Sequence, residues 1–274
     1  MSKKRLINLE HLSILELNGE GSFQLLQGQI TSDVNKVTIN NAEIGAICDI
    51  KGRVVSSFTV IKNTSSEGYL LIGDKSVLQK TKEILMKYQP FYEVEIKLNE
   101  NFKFYGIHEE YLVEYYPQTD LEKSYQLYDS FWRIHFLKKK HHILVTKEDL
   151  FEDNHEVQIE EWFIDDIQNK NFEISSKSIG MFTPHELGYH LSSRVDFEKG
   201  CYTGQEIVAR MHYRAKKLPS LLVKTSSTYL EDYSKVYDPN KTAIGIILSS
   251  IQHGESFYNL LSMNKNFENQ EFEI

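Results

Sequence analysis

The sequence predicts an α+β fold. Two segments, 75–89 and 157–170, carry apolar residues at helical spacing. The strand-like runs around them do not alternate strictly with helices, which disfavours a doubly wound sheet. After residue 216 the pattern becomes all strand, in "SLLVKTSS", "AIGIILSSIQ" and "SFYNLLSM", and predicts a small β-barrel or half-barrel. The chain thus divides, at a soft boundary, into a body of residues 1–215 and a C-terminal β unit of residues 216–274. No internal repeat or low-complexity linker marks the division.

The elements follow in order. "LSILELNGEGSFQLLQGQITSDV" predicts a strand, a turn at Asn18-Gly19 and a short helix opening near Ser22. "EIGAICDIKGRVVSSFTVIKN" predicts two strands joined by a tight turn at Lys51-Gly52, and "EGYLLIGD" a third. Residues 75–89 form a helix through Val77, Leu78, Ile84 and Leu85. Strands are expected at 93–98, 103–107 and 111–116, then a pair at 125–137 and 142–146. The second helix places Ile159, Trp162, Phe163 and Ile167 on one side.

Composition narrows the function. The 274 residues are 41% hydrophobic and 26% charged, enough for a sizeable core. The net charge of −8 argues against direct nucleic-acid binding. Two cysteines cannot build a disulfide scaffold or a four-thiolate metal site. No apolar run is long enough for a membrane helix, and the basic N-terminus lacks an apolar signal region. A cytoplasmic chain with no membrane contact is the simplest expectation.

The candidate chemistry centres on Cys201 in "KGCYTGQEIVAR", residues 199–210. Thr203 and Glu206 match a capping box, with a helix starting at Gly204. Cys201 then sits just ahead of a positive helix end, with Lys199 and Arg210 adding positive charge, and each favours thiolate over thiol. Gly200 and Gly204 leave room for a ligand. The competing role, a small buried hydrophobe, weighs about equally on these residues alone. Cys48, inside the apolar run "GAICDI", reads as a core residue. If it approached Cys201, a regulatory disulfide would become available.

Other signals are weaker. In "HELGYH" the two histidines, His185 and His190, are five residues apart, not the four that places both on one helical face, so no zinc site is expected. "KKKHH", residues 138–142, falls between strands and reads as a solvated turn. Trp162, on an apolar helical stripe, is more simply a core residue than a ligand-stacking one.

These residues resemble the YgfZ-type folate-binding family, relatives of the glycine-cleavage T-protein. "KGCYTGQEIVAR" looks like its signature, with Lys199, Gly200, Cys201, Tyr202, Gly204, Gln205, Glu206 and Arg210 in place. "LQGQITSDV", residues 26–34, and "CDIKGRVVS", residues 48–56, resemble two further family segments in the same order. The resemblance implies a ring of two intertwined α+β subdomains around a folate-sized cavity, closed by the C-terminal barrel. It implies tetrahydrofolate as ligand, no stably bound metal, and Cys201 as the functional residue. Trp162 would stack on the ligand, while Gln27 and Gln168 would offer amide hydrogen bonds. It implies a role in assembly or repair of iron–sulfur proteins, including enzymes that methylthiolate tRNA. Partners would be iron–sulfur enzymes or assembly proteins. The rival activity is a tetrahydrofolate-dependent aminomethyl or one-carbon transferase, and a third possibility is a module that only docks on a tRNA-modifying enzyme. Departures from the pattern are Ser56 and Ser57, where aminomethyltransferases carry an Asp pair, and Gln168, where relatives carry Glu.

Overall fold

A computed structural model describes residues 5–136, 138–150, 155–215 and 217–264. Three sheets organise them. The first is antiparallel and built from β2 (Leu12–Asn18), β3 (Glu43–Cys48), β4 (Val54–Lys62), β5 (Gly68–Asp74) and β6 (Glu95–Asn99), in the order β3-β4-β5-β2-β6. The second contains β1 (Arg5–Asn8), β7 (Lys103–His108), β8 (Tyr125–Leu127), β9 (Phe131–Ile134), β10 (His141–Thr146) and β11 (His155–Val157), in the order β11-β1-β7-β10-β9-β8. Its β1–β11 pair is parallel and the rest are antiparallel. The third is antiparallel, with β12 (Ser220–Ser226), β13 (Lys235–Tyr237), β14 (Ala243–His253) and β15 (Ser256–Met263) in the order β12-β15-β14-β13.

The predicted α+β class holds, and so does the C-terminal β unit. Of its two expected forms the half-barrel fits: the edge strands β12 and β13 do not pair with each other among the described residues. Residues 265–274 of that unit lie outside the described residues.

Local chemistry explains most elements. The β3–β4 turn forms where predicted. Asp49 Oδ1 accepts from the amides of Lys51 and Arg53, both at 2.9 Å, and Gly52 takes a φ of +71°. Helix α1 (Ser22–Gln27) follows the Asn18-Gly19 turn. Helix α2 (Lys75–Met86) is capped by Asp74, whose carboxylate accepts from the amides of Ser76 and Val77, and it buries Val77, Leu78 and Leu85. Helix α4 (Glu160–Gln168) buries Trp162 and Ile167 as predicted, but it also buries Asp165 and Asp166.

Two expectations fail. Residues 111–116 belong to a helix, α3 (Glu109–Tyr115), not a strand. His108 Nδ1 accepts from the Glu110 amide at 3.3 Å, Glu109 and Glu110 complement the positive helix end, and Leu112 is fully buried. These terms outweigh the β preference of "YLVEYY". Residues 125–137 hold two strands, β8 and β9, rather than one. The parallel pair β1–β11 was not predicted at all.

The first two sheets share a core. Ile14, Ile61, Leu70 and Ile72 from one meet Ile7, Phe104, Ile134, Val145 and Trp162 from the other side. A second core joins Ala46, Cys48 and Val54 to Ile167, Phe172, Tyr189 and Val208, and to Leu221, Leu248 and Leu260 of the third sheet. The long loop 169–204, which carries the chemistry, is pinned at this junction.

Candidate functional site

Helix α5 (Gln205–Arg214) opens the predicted signature, but the capping box does not form. The residue at the cap is Gly204, with a φ of +83° and no side-chain cap. Thr203 turns instead to Gln29, its hydroxyl donating to Oε1 at 3.1 Å. Gly204 is required by close approach as well as by φ. A Cβ there would lie 2.4 Å from the Asp49 carbonyl oxygen and 3.1 Å from the Cβ of Cys48. Gly52 faces the same junction, where an added Cβ would lie 2.9 Å from Ile207 Cγ2. The β3–β4 turn is therefore seated directly on the start of α5. Gly204→Ala should cost about 2 kcal/mol, from left-handed strain plus the backbone clash. Urea denaturation checks this, and an unchanged midpoint would contradict the tight seat.

Lys199 ties the signature to the segment 26–34. It is 9% exposed, and its ammonium donates to the carbonyls of Gln27 (2.8 Å), Ile30 (2.6 Å) and Ser32 (3.0 Å). Burial pushes its pKa down to about 8. All three donors are spent on backbone, so its role is to clamp the loop. Asp196 reinforces the clamp. It pairs with Lys36 at 2.7 Å, accepts from the amides of Glu198 and Lys199, and its own amide donates to the Thr31 carbonyl. Thr31 in turn donates to the Arg194 carbonyl at 2.5 Å. All three sequence segments that carry the resemblance thus converge on one joint.

From this joint Cys201 projects as a free, exposed thiol. Its neighbour Gly200 has open space where a side chain would stand. Tyr202 is buried, its hydroxyl has no partner among the described residues, and burial raises its pKa. Gln205 is half-buried, while Glu206 and Arg210 are exposed on α5. Cys48 is a core residue, 1% exposed, its thiol pushed up to about 12 by burial. Both thiols are free.

A polar network adjoins the joint at Arg194, whose carbonyl accepts from Thr31. Arg194, 1% exposed, donates two hydrogen bonds to the Glu173 carboxylate and others to the Gly45 carbonyl and Asn171. Its guanidinium lies 4.5 Å over the Tyr189 ring. Asn171 donates on to Asp166 at 2.7 Å, and Asp166 pairs with Lys139 at 2.5 Å. Burial drives the Asp166 pKa up despite Lys139. Glu173 differs. Its side chain is 44% accessible, yet desolvation still opposes its charge, and Arg194 outweighs that and holds the carboxyl below its usual range.

The expected ligand residues sit differently around this network. Gln168 is on the exposed side of α4, whereas Asp165 and Asp166 face in. Trp162 is buried, and the Lys139 ammonium lies 3.8 Å over its ring, covering one face of the residue expected to stack on a ligand. Gln27 spends both ends of its amide locally, donating to Asp33 and accepting from the Val34 amide. Ser57 accepts from the Ile174 amide at 2.8 Å and borders Glu173, while Ser56 pairs with Thr81 of α2. The sequence reading missed Glu173, Arg194, Asn171, Asp166 and Lys139. The available signal was two isolated charges, in "NFEIS" and "SSRVDF", inside segments that otherwise bury apolar residues.

Among the described residues, Glu109, His135 and His142 bring ligand-type atoms within 4.8 Å of one another. Their hydrogen bonds oppose a metal. Arg133 Nη1 donates to His142 Nδ1 at 3.2 Å, so the neutral ring carries its proton on Nε2, facing Glu109. A wholly buried guanidinium beside the ring also repels a cation. His142 is fully buried, and burial, with His135 and Arg133 adding, pushes it down to about 2. The unfolded chain then binds the extra proton first. Stability is full above the unfolded pKa of about 6.5 and falls as pH drops toward 2, by about 2–3 kcal/mol at pH 4.5. His142→Gln should flatten that decline in denaturation series. An identical slope in the variant would assign it to other groups.

No protein-family model matches the chain. It is 28% identical over 237 residues to the tRNA-modifying protein YgfZ of Photobacterium profundum, covering 82% of this chain and 71% of the relative. It is 28% identical over 235 residues to the protein of the same name from Colwellia psychrerythraea, covering 81% and 71%. Among solved structures it is similar to glycine cleavage system aminomethyltransferase T from Bartonella henselae. The TM-score is 0.74 at 11% identity, over 97% of this chain and 80% of that one, which is a likeness of fold. The resemblance first carried by three short segments therefore extends over most of the chain.

Proposed function

We propose, from the similarity to proteins named for tRNA modification, that this chain is an accessory protein for assembly or repair of iron–sulfur enzymes, including those that methylthiolate tRNA. The observation that carries the reading is Cys201: an exposed free thiol on a loop clamped by Lys199, Asp196 and Gly204. A rigidly presented thiol suits a transient metal ligand, a redox centre or a nucleophile. Two cysteines in the whole chain, one of them buried, require that any cluster be shared with a partner.

In this reading a folate-like ligand binds beside Glu173. Its charged, accessible carboxylate can accept two N–H donors from the edge of a pterin, and Arg194 keeps it ionised for that purpose. Bound tetrahydrofolate would supply one-carbon carrier chemistry. Glu173→Gln should weaken tetrahydrofolate binding about tenfold in a fluorescence titration, with the fold intact by circular dichroism. Equal affinity would remove Glu173 from the ligand site.

The likeness in fold to aminomethyltransferase T supports a second reading, a tetrahydrofolate-dependent transferase. Ser56 and Ser57 count against it, because β4 offers no carboxylate to take up a proton. Transfer of a one-carbon unit from a methylated amine to tetrahydrofolate by the purified chain would establish it.

A further inference from the structure

We infer that His185, His190 and His212 form a binding site for a divalent late first-row transition ion of the zinc class. Spacing alone excluded this, since residues five apart diverge on a regular helix. The segment is not a regular helix. Gly188 takes a φ of +68° and starts a 3₁₀ turn at Tyr189–Leu191, which folds His190 back toward His185. Their ring centroids come to 4.8 Å. Helix α5 supplies the third ring from its last turn, with His212 at 6.0 Å from His185 and 6.4 Å from His190.

The triangle has the size a metal needs. The point equidistant from three centroids so spaced lies about 3.4 Å from each, and a zinc ion bound at about 2.1 Å by an imidazole nitrogen sits about 3.2 Å from that ring's centroid. As the rings stand, their nitrogens do not all lie within 4.8 Å of one another, so binding requires the rings to turn about their side-chain bonds.

The second observation is unmet hydrogen bonding. His185 is 1% exposed, and among the described residues neither of its nitrogens has a partner. The Nδ1 atoms of His190 and His212 are also buried and unpartnered. Neutral imidazoles cannot satisfy one another through lone pairs alone, whereas a shared cation takes up one lone pair from each.

The surroundings favour the cation. The C-terminal end of a ten-residue helix presents its negative pole to His212. Phe197 stacks on His212, with centroids 3.8 Å apart. Glu186 accepts from both the amide and the hydroxyl of Thr183, holding the turn that carries His185. His190 and His212 are only half-buried, which leaves an entry path and an open fourth position. Imidazole donors select zinc, cobalt, nickel or copper over magnesium or calcium. No arginine is hydrogen-bonded to these rings among the described residues, in contrast to His142.

Bound there, the ion would clip the 183–191 turn to the last turn of α5, at the opposite end from the thiol joint.

The full chain, stripped with chelator, should take up one equivalent of Co²⁺ with the visible absorption of tetrahedral cobalt. Zn²⁺ should displace it and raise the melting temperature. His190→Gln and His212→Gln should each weaken binding on the order of 100-fold while keeping the near-UV spectrum of the parent. Cys201→Ala and His135→Gln should bind as the parent does. Absence of cobalt absorption in folded protein, undiminished binding in both histidine variants, or loss of binding in Cys201→Ala would each overturn the site.

Discussion

Replacing Cys201 with Ala should abolish restoration of iron–sulfur enzyme activity and tRNA methylthiolation in a deletion strain. Stability should stay within about 0.5 kcal/mol of the parent. The reasoning is local. Cys201 is exposed, and its thiol is free. Its loop is held by Lys199 on three carbonyls, Asp196 on Lys36, and Gly204 against Asp49. Loss of the thiol therefore removes chemistry and leaves the fold. Cys201→Ser should fail equally, because a hydroxyl keeps the size but not the nucleophilicity or metal affinity of a thiolate. Cys48→Ala should do the reverse, costing about 1 kcal/mol from a buried site and retaining function. Enzyme assays and tRNA analysis in the complemented strains decide the matter. Full rescue by Cys201→Ala would end the thiol reading.

Arg194→Ala should be the most destabilising single change at the site, by about 3–5 kcal/mol. The guanidinium is almost wholly buried and serves Glu173, Asn171 and the Gly45 carbonyl while lying over Tyr189. Its removal strands a carboxylate and a carbonyl and opens a cavity. Solvent reaches Glu173, so the stranded charge is partly relieved and the lower end of the range is expected. Arg194→Lys should not rescue, since an ammonium cannot reproduce the two-pronged contact. Urea denaturation of Arg194→Ala, Glu173→Gln and the double variant isolates the coupling between them. A loss below about 1 kcal/mol for Arg194→Ala would mean the loop is held elsewhere.

Much of the scaffold was legible because local rules agreed with the final packing. Asp74 ahead of α2, the Asp49–Gly52 turn and the apolar stripe of α4 each announce their element within a few residues. The failures are non-local. The strand β1 is only four residues long, and its partners are β7 and β11. "YLVEYY" has strand chemistry and becomes helix through its cap and the burial of Leu112. At the site, sequence reading found Cys201 but misjudged its setting. Thr203 was free to cap α5 in principle, yet Gln29, 174 residues away, takes its hydroxyl. Lys199 was expected to act on the thiol and acts on carbonyls. Gln168 was placed by register with relatives and Trp162 given its stacking role by the resemblance, while Glu173 and Arg194, 21 residues apart, meet only in three dimensions.

The position of β1 bears on how the chain reaches this state. It precedes the other described strands in the chain, yet its parallel partner β11 begins at residue 155, after the whole of the first sheet has been made. At roughly 5–20 residues per second, β1 waits about 8–30 s for that neighbour. The five-stranded sheet between them is contiguous in sequence and can close in the meantime, through the hairpins β3–β4 and β4–β5 and the longer-range pairing of β2 with β5 and β6. The nascent chain thus carries an assembled first sheet and an unpaired leading strand, whose apolar Leu6 and Ile7 must be shielded until the second sheet arrives. Dependence on chaperones during that interval, rather than weakness of the finished fold, is where this topology places the risk of aggregation.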